Sequence, residues 1–153
     1  MTIKDVMTEQ VTTCRLEANL AAASALMWEN DCGTLPVLGE AGELAGILTD
    51  RDICIALGTR NARASDITVR DVVKAHPLTC KATEDIRSAL QIMREAKIRR
   101  LPVVNEIGEL EGIVSIDDII LSLKLGDGKA GTALAYRDVA SALQEISSRR
   151  VAA

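Results

Sequence analysis

The hydrophobic and polar positions of this chain follow one pattern twice, with no insertion or deletion between the two copies. Residues 2–57 recur as residues 68–123, so that adding 66 to a number in the first copy gives its counterpart in the second. Of the 56 paired positions 20 are identical, and many others exchange Val, Ile and Leu. A unit of about 55 residues is marginal on its own. The pattern therefore predicts two units packed together, with a twofold-related cleft between them.

The first half of each copy predicts a lead, a strand and a helix. A short segment that is helical or extended (3–8 and 69–74) precedes β-prone stretches at 11–14 and 78–80. Apolar residues at i, i+3, i+4 and i+7 then predict a helix, which in the second copy carries Ile86, Ala89, Leu90 and Met93. Thr83 is the predicted N-cap of that helix, with Glu84 and Asp85 in its first turn.

The second half of each copy predicts two strands around a turn, followed by a second helix. The strands are expected at 35–38 and 44–48, and again at 101–104 and 110–114. Gly42 and Gly108 supply the positive φ that such a turn needs. The second helices are expected at 50–57 and 116–124. The order is therefore β-α-β-β-α, twice, with repeats at 2–57 and 68–123 and a polar linker at 58–67.

Residues 124–153 stand outside the repeat and form a predicted helical extension. The Gly-Asp-Gly run at 126–128 is expected to be flexible. Residues 132–148 show helical spacing of apolar side chains, namely Tyr136, Val139, Ala140, Leu143 and Ile146. This pattern predicts a helix that docks on the core or forms a dimer contact.

Composition predicts an aliphatic core and a cytoplasmic protein. Hydrophobic residues make up 48% of the chain but aromatic residues only 1%, namely Trp28 and Tyr136. The net charge of −4 argues against broad nucleic-acid binding, which needs a basic surface. No stretch resembles a signal peptide, and no apolar run approaches membrane-spanning length.

The cysteines predict structural thiols rather than a metal or redox site. Cys14, Cys32, Cys54 and Cys80 stand singly, without a C-x-x-C pair, and the chain has one histidine. Cys14 and Cys80 are counterparts in the repeat, which a shared buried strand position explains. Redox or metal sensing remains the alternative, and no metal ligand is assigned.

The most informative motif lies where the second hairpin strand enters the second helix. A hydroxyl residue is followed three positions later by aspartate, as Thr49 and Asp52 in one copy and as Ser115 and Asp118 in the other. One interpretation is a capping box. The other is a ligand site, because a hydroxyl and free N–H groups at a helix N-terminus suit phosphate. A carboxylate one turn in can also accept both hydroxyls of a ribose. The two interpretations are compatible.

These motifs together resemble a known family. Leu-Pro-Val, a Gly turn, Gly-Ile-hydrophobic-Thr/Ser-x-x-Asp and a leading Asp-Val-Met-Thr at 5–8 are similar to a CBS-domain pair, or Bateman module, over residues 2–123. The resemblance implies an α+β fold in which tandem β-α-β-β-α repeats pack as a pseudo-twofold pair, here followed by a C-terminal helix. It also implies a homodimer, and AMP, ADP, ATP or S-adenosylmethionine bound in the cleft between repeats.

Carried over to this chain, the resemblance implies two ligand clefts. The main cleft would use Thr8, Val11, Thr12, Thr13, Cys32, Arg99, Arg100, Ser115 and Asp118. The second would use Thr49, Arg51, Asp52, Lys74, Pro77, Leu78, Thr79 and Ile98. Arg99 and Arg100 occupy positions from which family members reach ligand phosphates, whereas their counterparts, Gly33 and Thr34, are uncharged. The cleft at Asp118 is therefore expected to bind better, although Ile116 departs from its counterpart Asp50.

The function that follows is a regulatory module that senses an adenosyl compound and acts on its own dimer or on an unidentified protein. An enzyme is not expected, since His76 lies in a loop and Asp50 and Asp52, two residues apart, do not face each other on a helix. No catalytic residue or required cofactor is assigned. The alternative is a structural dimerisation or interaction module with no ligand. Nucleic-acid binding through the basic residues of 60–70 is a further hypothesis.

Overall fold

The strands and helices of the two copies follow the predicted order with one exception, and one further helix follows them. The strand expected at 78–80 is reduced to a single bridge at Cys80, and the second copy has a strand at Lys74–Ala75 instead. The computed structural model describes residues 1–123 and 136–148. The strands are β1 (Cys14–Arg15), β2 (Thr34–Leu38), β3 (Leu44–Thr49), β4 (Lys74–Ala75), β5 (Arg100–Val104) and β6 (Leu110–Ser115). The helices are α1 (Leu20–Glu29), α2 (Asp50–Arg60), α3 (Ile86–Ala96), α4 (Ile116–Ser122) and α5 (Tyr136–Ser147), with 3₁₀ turns at Ile3–Asp5, Ala64–Asp66 and Val69–Asp71. The predicted α+β class, with two repeats and a C-terminal helix, is confirmed.

The chain folds into two units, and each unit takes residues from both copies. The body-1 unit comprises Gln10–Pro77 and Gly108–Leu110. The body-2 unit comprises Met1–Glu9, Leu78–Ile107 and the described residues from Glu111 onward. We call residues 2–8 leader 1 and residues 68–74 leader 2, and we call the rest of each copy its body. Leader 1 therefore lies in the unit that holds the body of the second copy. Leader 2 lies with the body of the first.

Backbone hydrogen bonds hold each leader to the body of the other copy. Thr8 pairs with Ile113: its N–H donates to the Ile113 carbonyl (2.9 Å), and the Ile113 N–H donates back (3.0 Å). In the body-1 unit Lys74 pairs with Ile47, which gives the antiparallel contact between β4 and β3. These two pairs are counterparts in the repeat. The exchange of leaders is therefore reciprocal.

Each leader also contributes one side chain to the core of its unit. Ile3 is fully buried in a cluster with Ile86 and Leu101 of the second body. Its counterpart Val69 is fully buried in a cluster with Leu20 of the first body. Complete burial of a side chain of this size contributes about 1.5–3 kcal/mol. The leaders are thus parts of the two cores as well as sheet partners.

The two sheets follow one plan. In the body-1 unit the strand order is β1-β2-β3-β4, with β1 parallel to β2 and the other neighbours antiparallel. The body-2 unit pairs β5 with β6. A parallel bridge from Cys80 to Val103 stands where β1 stands in the other unit, and the pair of Thr8 with Ile113 stands where β4 stands. Both hairpin glycines have positive φ, 88° at Gly42 and 86° at Gly108, as predicted.

The N-cap predicted for α3 is wrong. Thr83 does not cap the helix; Asp85 does, and its side chain accepts a hydrogen bond from the Arg87 N–H at 2.9 Å. The leader is the reason, because the carbonyls of Ala82 and Glu84 accept hydrogen bonds from the N–H groups of residues 4 and 3. These tertiary contacts hold residues 82–84 outside the helix and delay its start to Ile86.

Helix α5 packs on the core of the body-2 unit, as one of the two predicted roles requires. It buries Val139, Ala142 and Ile146. Ala140, placed in the apolar stripe from the sequence, is exposed, and Ala142 takes its place. The expected start of the helix at residues 132–135, the last residue expected for the preceding helix (124) and the flexible run at 126–128 lie outside the described residues.

Side chains in both cores are aliphatic or sulfur-containing, as the composition predicts. The two large aromatic side chains are at the surface, with Trp28 88% exposed and Tyr136 47% exposed. Among the described helices, none is long and apolar enough to cross a membrane.

Candidate functional site

The hydroxyl–carboxylate motif forms a capping box at the start of α4. Both the N–H and the Oγ–H of Ser115 donate to Oδ2 of Asp118, at 2.8 and 2.6 Å. The Asp118 N–H donates back to Ser115 Oγ at 3.1 Å. The contacts recur at α2, where Thr49 donates to Oδ2 of Asp52 at 2.9 and 2.6 Å and accepts from its N–H at 3.2 Å. The capping interpretation therefore holds in both copies.

The same geometry leaves half of each carboxylate available. Within the described residues, all hydrogen bonds to Asp118 and Asp52 reach Oδ2, and none reaches Oδ1. Both side chains are half-buried, so a ligand can approach them. One carboxylate oxygen has two acceptor positions. With the cap intact, a pair of ribose hydroxyls would meet Oδ1 alone rather than bridge the two oxygens.

The first-turn N–H groups of α2 are already used within the protein. The Asp50 N–H donates to the Gly33 carbonyl at 3.1 Å, and the Arg51 N–H donates to Oδ1 of Asp50 at 2.7 Å. The Asp52 N–H is taken by Thr49. The expectation of free N–H groups for a phosphate is therefore not met here. Any anion at this place would have to be held by side chains.

Two arginines set the start of α4 apart from the start of α2. Arg99 and Arg100 have exposed side chains, and the Arg99 carbonyl accepts the Ile116 N–H at 2.9 Å, which fixes Arg99 beside the first turn of α4. The counterpart of Arg99 is Gly33, where an added Cβ would lie 3.0 Å from Oδ2 of Asp50. The body-2 unit thus carries cations where the body-1 unit carries a carboxylate. Ile116, in the place of Asp50, is buried.

Leader 1 brings a further predicted site residue to this place. Because Thr8 forms a bridge with Ile113, it lies beside β6, the strand that ends at Ser115. The body-2 unit therefore holds these predicted main-cleft residues: Thr8, Arg99, Arg100, Ser115 and Asp118. Val11, Thr12, Thr13 and Cys32 belong to the body-1 unit, and their membership of the site stays a prediction.

The residues predicted for the second cleft are also divided. The body-1 unit holds Thr49, Arg51, Asp52, Lys74 and Pro77. The body-2 unit holds Leu78, Thr79 and Ile98, with Leu78 52% exposed and the other two half-buried. The structure thus brings the Asp52 box and leader 2 together, while the role of the other three stays a prediction.

Two glycines of the motif have a role that sequence reasoning missed. A Cβ on Gly112 would lie 2.7 Å from the Thr8 carbonyl oxygen, and a Cβ on Gly46 would lie 2.9 Å from the Lys74 carbonyl oxygen. Real Cβ atoms do not approach an oxygen so closely. Only glycine lets each leader pair at this distance. The sequence did contain a signal for this role, because the two glycines recur at counterpart positions of the motif.

The buried cysteines have the properties of core residues. Cys14 and Cys80 lie at counterpart strand positions, 4% and 2% exposed. Burial raises the pKa of Cys14 to about 11. Burial, with a smaller effect of the Glu84 charge, raises the pKa of Cys80 to about 12. Both thiols therefore stay protonated near neutral pH. In the part of the chain that the structure describes, no three His, Cys, Asp or Glu side chains gather as metal ligands would.

Comparison with known proteins identifies related sequences over both copies. The family model described as CBS domain matches residues 3–59 and again residues 69–125. The CBS domain-containing protein YhcV of Bacillus subtilis is 34% identical over 132 residues, which cover 86% of this chain and 91% of YhcV. The prediction that the chain is not an enzyme agrees with such stand-alone relatives, which have no catalytic domain.

Solved structures share the fold. The structure of Hypoxic Response Protein I with two coordinated zinc ions is 35% identical, with a TM-score of 0.73, and the match covers 81% of this chain and 100% of that one. The CBS domain pair of MJ0100 in complex with 5′-methylthioadenosine and S-adenosyl-L-methionine is 25% identical, with a TM-score of 0.71 and coverages of 79% and 98%. CBSX2 in complex with AMP is 25% identical, with a TM-score of 0.69 and coverages of 79% and 94%.

Proposed function

The chain belongs to the CBS-domain family, and we propose that it is a regulatory module that binds an adenine nucleotide or a related adenosyl compound. Two structural relatives are complexes with such compounds, one with AMP and one with 5′-methylthioadenosine and S-adenosyl-L-methionine. The ligand class is inferred from these two relatives, whereas the proposed site residues are inferred from the structure of this chain.

The observation that carries the proposal is the grouping around Asp118 in the body-2 unit. Its Oδ1, which accepts no hydrogen bond from the residues that the structure describes, is an acceptor for ribose hydroxyls, which are donors that an apolar ligand lacks. Arg99 and Arg100 flank the same helix start and suit phosphate or carboxylate oxygens, because charge-assisted hydrogen bonds are about twice as strong as neutral ones. Thr8 adds a hydroxyl from leader 1. Both copies thus contribute to one site.

The Asp52 box is proposed to prefer a different ligand from the same class. Asp50 stands beside Gly33, at the place that the arginines occupy in the body-2 unit. A carboxylate there would repel a phosphate. Arg51 and Lys74 lie in the same unit and partly offset this carboxylate, so the Asp52 site is proposed to favour adenosyl compounds with a less negative 5′ substituent than the Asp118 site does.

Binding would be transmitted through α4 and α5. Helix α4 begins in the Asp118 box and ends at Ser122, and the carbonyl of the following Leu123 accepts a hydrogen bond from the Tyr136 hydroxyl at 2.7 Å. Helix α5 begins at Tyr136 and packs on the same core. A ligand that binds one arrangement of α4 better shifts the population toward it, by no more than its difference in affinity. The receiver would be a second copy or another protein.

Thermal unfolding against AMP, ADP, ATP, 5′-methylthioadenosine, S-adenosylmethionine and GTP tests the proposal. A ligand at a hundredfold excess over its dissociation constant adds about 2.7 kcal/mol of stability. Asp118→Ala should abolish the shift produced by a nucleotide, and Asp52→Ala, which breaks an identical cap in the other unit, should retain it. Loss of either cap alone costs about 0.5–2 kcal/mol. Arg99→Ala with Arg100→Ala should weaken AMP far more than 5′-methylthioadenosine.

The second candidate is a structural dimerisation or interaction module. The observation in its favour is that each capping box is formed by hydrogen bonds between residues of the protein itself. It predicts a folded protein that no compound of the panel stabilises. It also predicts that Asp118→Ala and Asp52→Ala lower stability to a similar extent and change nothing else.

A further inference from the structure

A groove of about 280 Å³ lies between α3 and α5 in the body-2 unit. Its floor is apolar, because Leu90 and Ala142 are almost fully buried there. Its walls carry charged and polar side chains, namely Arg87, Gln91, Arg94, Asp138 and Ser141. Pockets for drug-sized ligands measure about 300–1,000 Å³, so this groove favours a compound smaller than a nucleotide. Ser115 and Asp118 are not among the side chains that line it.

The parallel packing of α3 and α5 fixes the order of the charges along the groove. Two contacts between the helices join residues 51 positions apart, Arg94 to Glu145 and Lys97 to Ser148. Because both contacts have the same separation, the helices run in the same direction. Arg87 and Asp138 have this separation too, so they stand level with each other at the N-terminal end of the groove. The α3 wall thus carries two cations, and the α5 wall carries a carboxylate.

Arg94 offers hydrogen-bond donors to a ligand in the groove. Its Nε lies 3.6 Å from Oε2 of Glu145, which makes an ion pair but is too long for a hydrogen bond. No described residue accepts a hydrogen bond from this guanidinium, and the side chain is 42% exposed. A guanidinium in such a position binds a carboxylate through two parallel hydrogen bonds. The Ser141 hydroxyl, which also has no partner among the described residues, adds a donor from the α5 wall.

The same groove offers acceptors for an ammonium group. Gln91 donates through Nε2 to Oε1 of Glu95 at 2.8 Å, and its own Oε1 accepts nothing from the described residues. The two oxygens of the Asp138 carboxylate present about four acceptor positions, so Asp138 can accept a further donor beside the interaction that it already makes. A purely anionic ligand would be repelled by Asp138, and a purely cationic one by Arg87 and Arg94. The walls therefore suit a ligand that carries both charges.

We propose that the groove between α3 and α5 binds a free α-amino acid with a small aliphatic side chain. The carboxylate of the ligand lies on Arg94 and Ser141. Its ammonium group lies on Gln91 Oε1 and Asp138, and its side chain lies on the apolar floor. Because the ligand contacts both helices, it stabilises the docking of α5 on α3. This second effector site does not depend on the adenosyl ligand proposed above.

The first copy lacks this site. The positions of α1 that correspond to the two arginines and the glutamine carry Ala21, Trp28 and Ala25. Helix α1 therefore has neither the cations nor the amide that the ligand requires. The amino-acid site occurs once per chain, whereas the hydroxyl–carboxylate box occurs twice. The number of ligands bound per chain thus helps to distinguish the two kinds of site.

Isothermal titration calorimetry with the standard amino acids, in the absence of any nucleotide, tests the proposal. An aliphatic amino acid such as alanine, valine or leucine should bind with one site per chain. Arg94→Gln and Ser141→Ala should each weaken this binding at least tenfold, because each removes hydrogen bonds to a charged group. Both side chains are at the surface, so the variants should fold, and circular dichroism checks this. The matched control is Arg137→Gln, at an exposed position of α5 that does not line the groove, and it should bind as the wild type does.

Compounds that lack one charge of the bound amino acid test the ligand class. For leucine these are isocaproate, without the ammonium group, and isopentylamine, without the carboxylate; both should bind at least tenfold more weakly than leucine. Equal binding of isocaproate would show a plain carboxylate site and overturn the proposed class. Absence of binding by every amino acid, or wild-type affinity in both Arg94→Gln and Ser141→Ala, would overturn the site itself. Because no nucleotide is present, failure of this site is distinct from failure of the proposed function.

Discussion

Replacement of Gly112 by alanine is the most direct test of the exchanged leaders. Gly112 lies in β6, and a Cβ there would stand 2.7 Å from the Thr8 carbonyl oxygen and 3.2 Å from Met7 Sδ. The thioether can move aside, but the carbonyl belongs to the backbone that pairs with Ile113. The added methyl group therefore acts on the leader itself.

Two responses are available, and they cost similar amounts. If leader 1 moves away, the two hydrogen bonds between Thr8 and Ile113 are lost, at about 0.5–1.5 kcal/mol each. If it stays, the crowding resembles overpacking of a core, which costs about 1–3 kcal/mol. Either response lowers the free energy of unfolding by about 1–3 kcal/mol. In a chain of this size that corresponds to a fall in Tm of roughly 2–12 °C.

Urea unfolding followed by circular dichroism measures this loss, with Gly58→Ala as the matched control. Gly58 lies inside α2, and a Cβ there meets no atom within 4 Å. The same substitution at that position should stabilise the protein by about 0.5–1 kcal/mol, because glycine inside a helix is unfavourable. Opposite signs for Gly112→Ala and Gly58→Ala are the expected result.

A Gly112→Ala protein as stable as the wild type would refute the close approach of leader 1. Gly46→Ala tests the equivalent approach of leader 2, since a Cβ there would lie 2.5 Å from Val73 Cγ2 and 2.9 Å from the Lys74 carbonyl oxygen. If only one of the two substitutions destabilises the protein, the exchange of leaders is not reciprocal. In the Gly112→Ala variant, nucleotide binding should fall as well, because Thr8 moves with the leader.

Three further outcomes are expected. A thiol reagent at neutral pH should modify Cys54, which is exposed, well before Cys14 and Cys80, which should react only on unfolding; mass spectrometry of partly labelled protein gives the order. Stability should fall as pH rises above 9, since the unfolded thiols ionise there while the folded pKa values are about 11 for Cys14 and about 12 for Cys80; urea midpoints between pH 8 and 10.5 would show it, and a flat profile would contradict the burial. Hydrogen bonds from Thr68 lower the pKa of Asp71 in the folded protein. The stabilisation that Asp71 gives the folded state is therefore present above its unfolded pKa near 3.8 and is lost as the pH falls through its folded pKa. Asp71→Asn should therefore lose less stability than the wild type on acidification, as measured by Tm.

Features set by neighbouring residues could be read from the sequence. The capping boxes at Ser115 and Thr49 use residues three apart, and the hairpins depend on glycines with positive φ. Such features need no knowledge of the rest of the chain. The resemblance to CBS-domain pairs, rather than any local pattern, placed Thr8 with the second copy.

Features set by distant residues could not be read in this way. Thr83 was a reasonable N-cap by local criteria, but leader 1 uses the carbonyls of Ala82 and Glu84, and α3 begins later. The hydrogen bonds of the first-turn N–H groups of α2 could not be predicted for a similar reason, because one acceptor is the carbonyl of Gly33 on a separate segment. Both cases depend on which backbone groups meet in three dimensions.

The exchanged leaders also fix an order of events during synthesis of the chain. Most of the body-1 unit, Gln10–Pro77, is contiguous, so its strands and helices can pair as they leave the ribosome. Leader 1 leaves first, yet its partner Ile113 follows roughly a hundred residues later, about 5–20 s at ordinary rates of translation. During that interval Ile3 and an open strand edge remain exposed, and such edges are prone to pair with other chains. A chain that terminates before β6 keeps that exposure permanently.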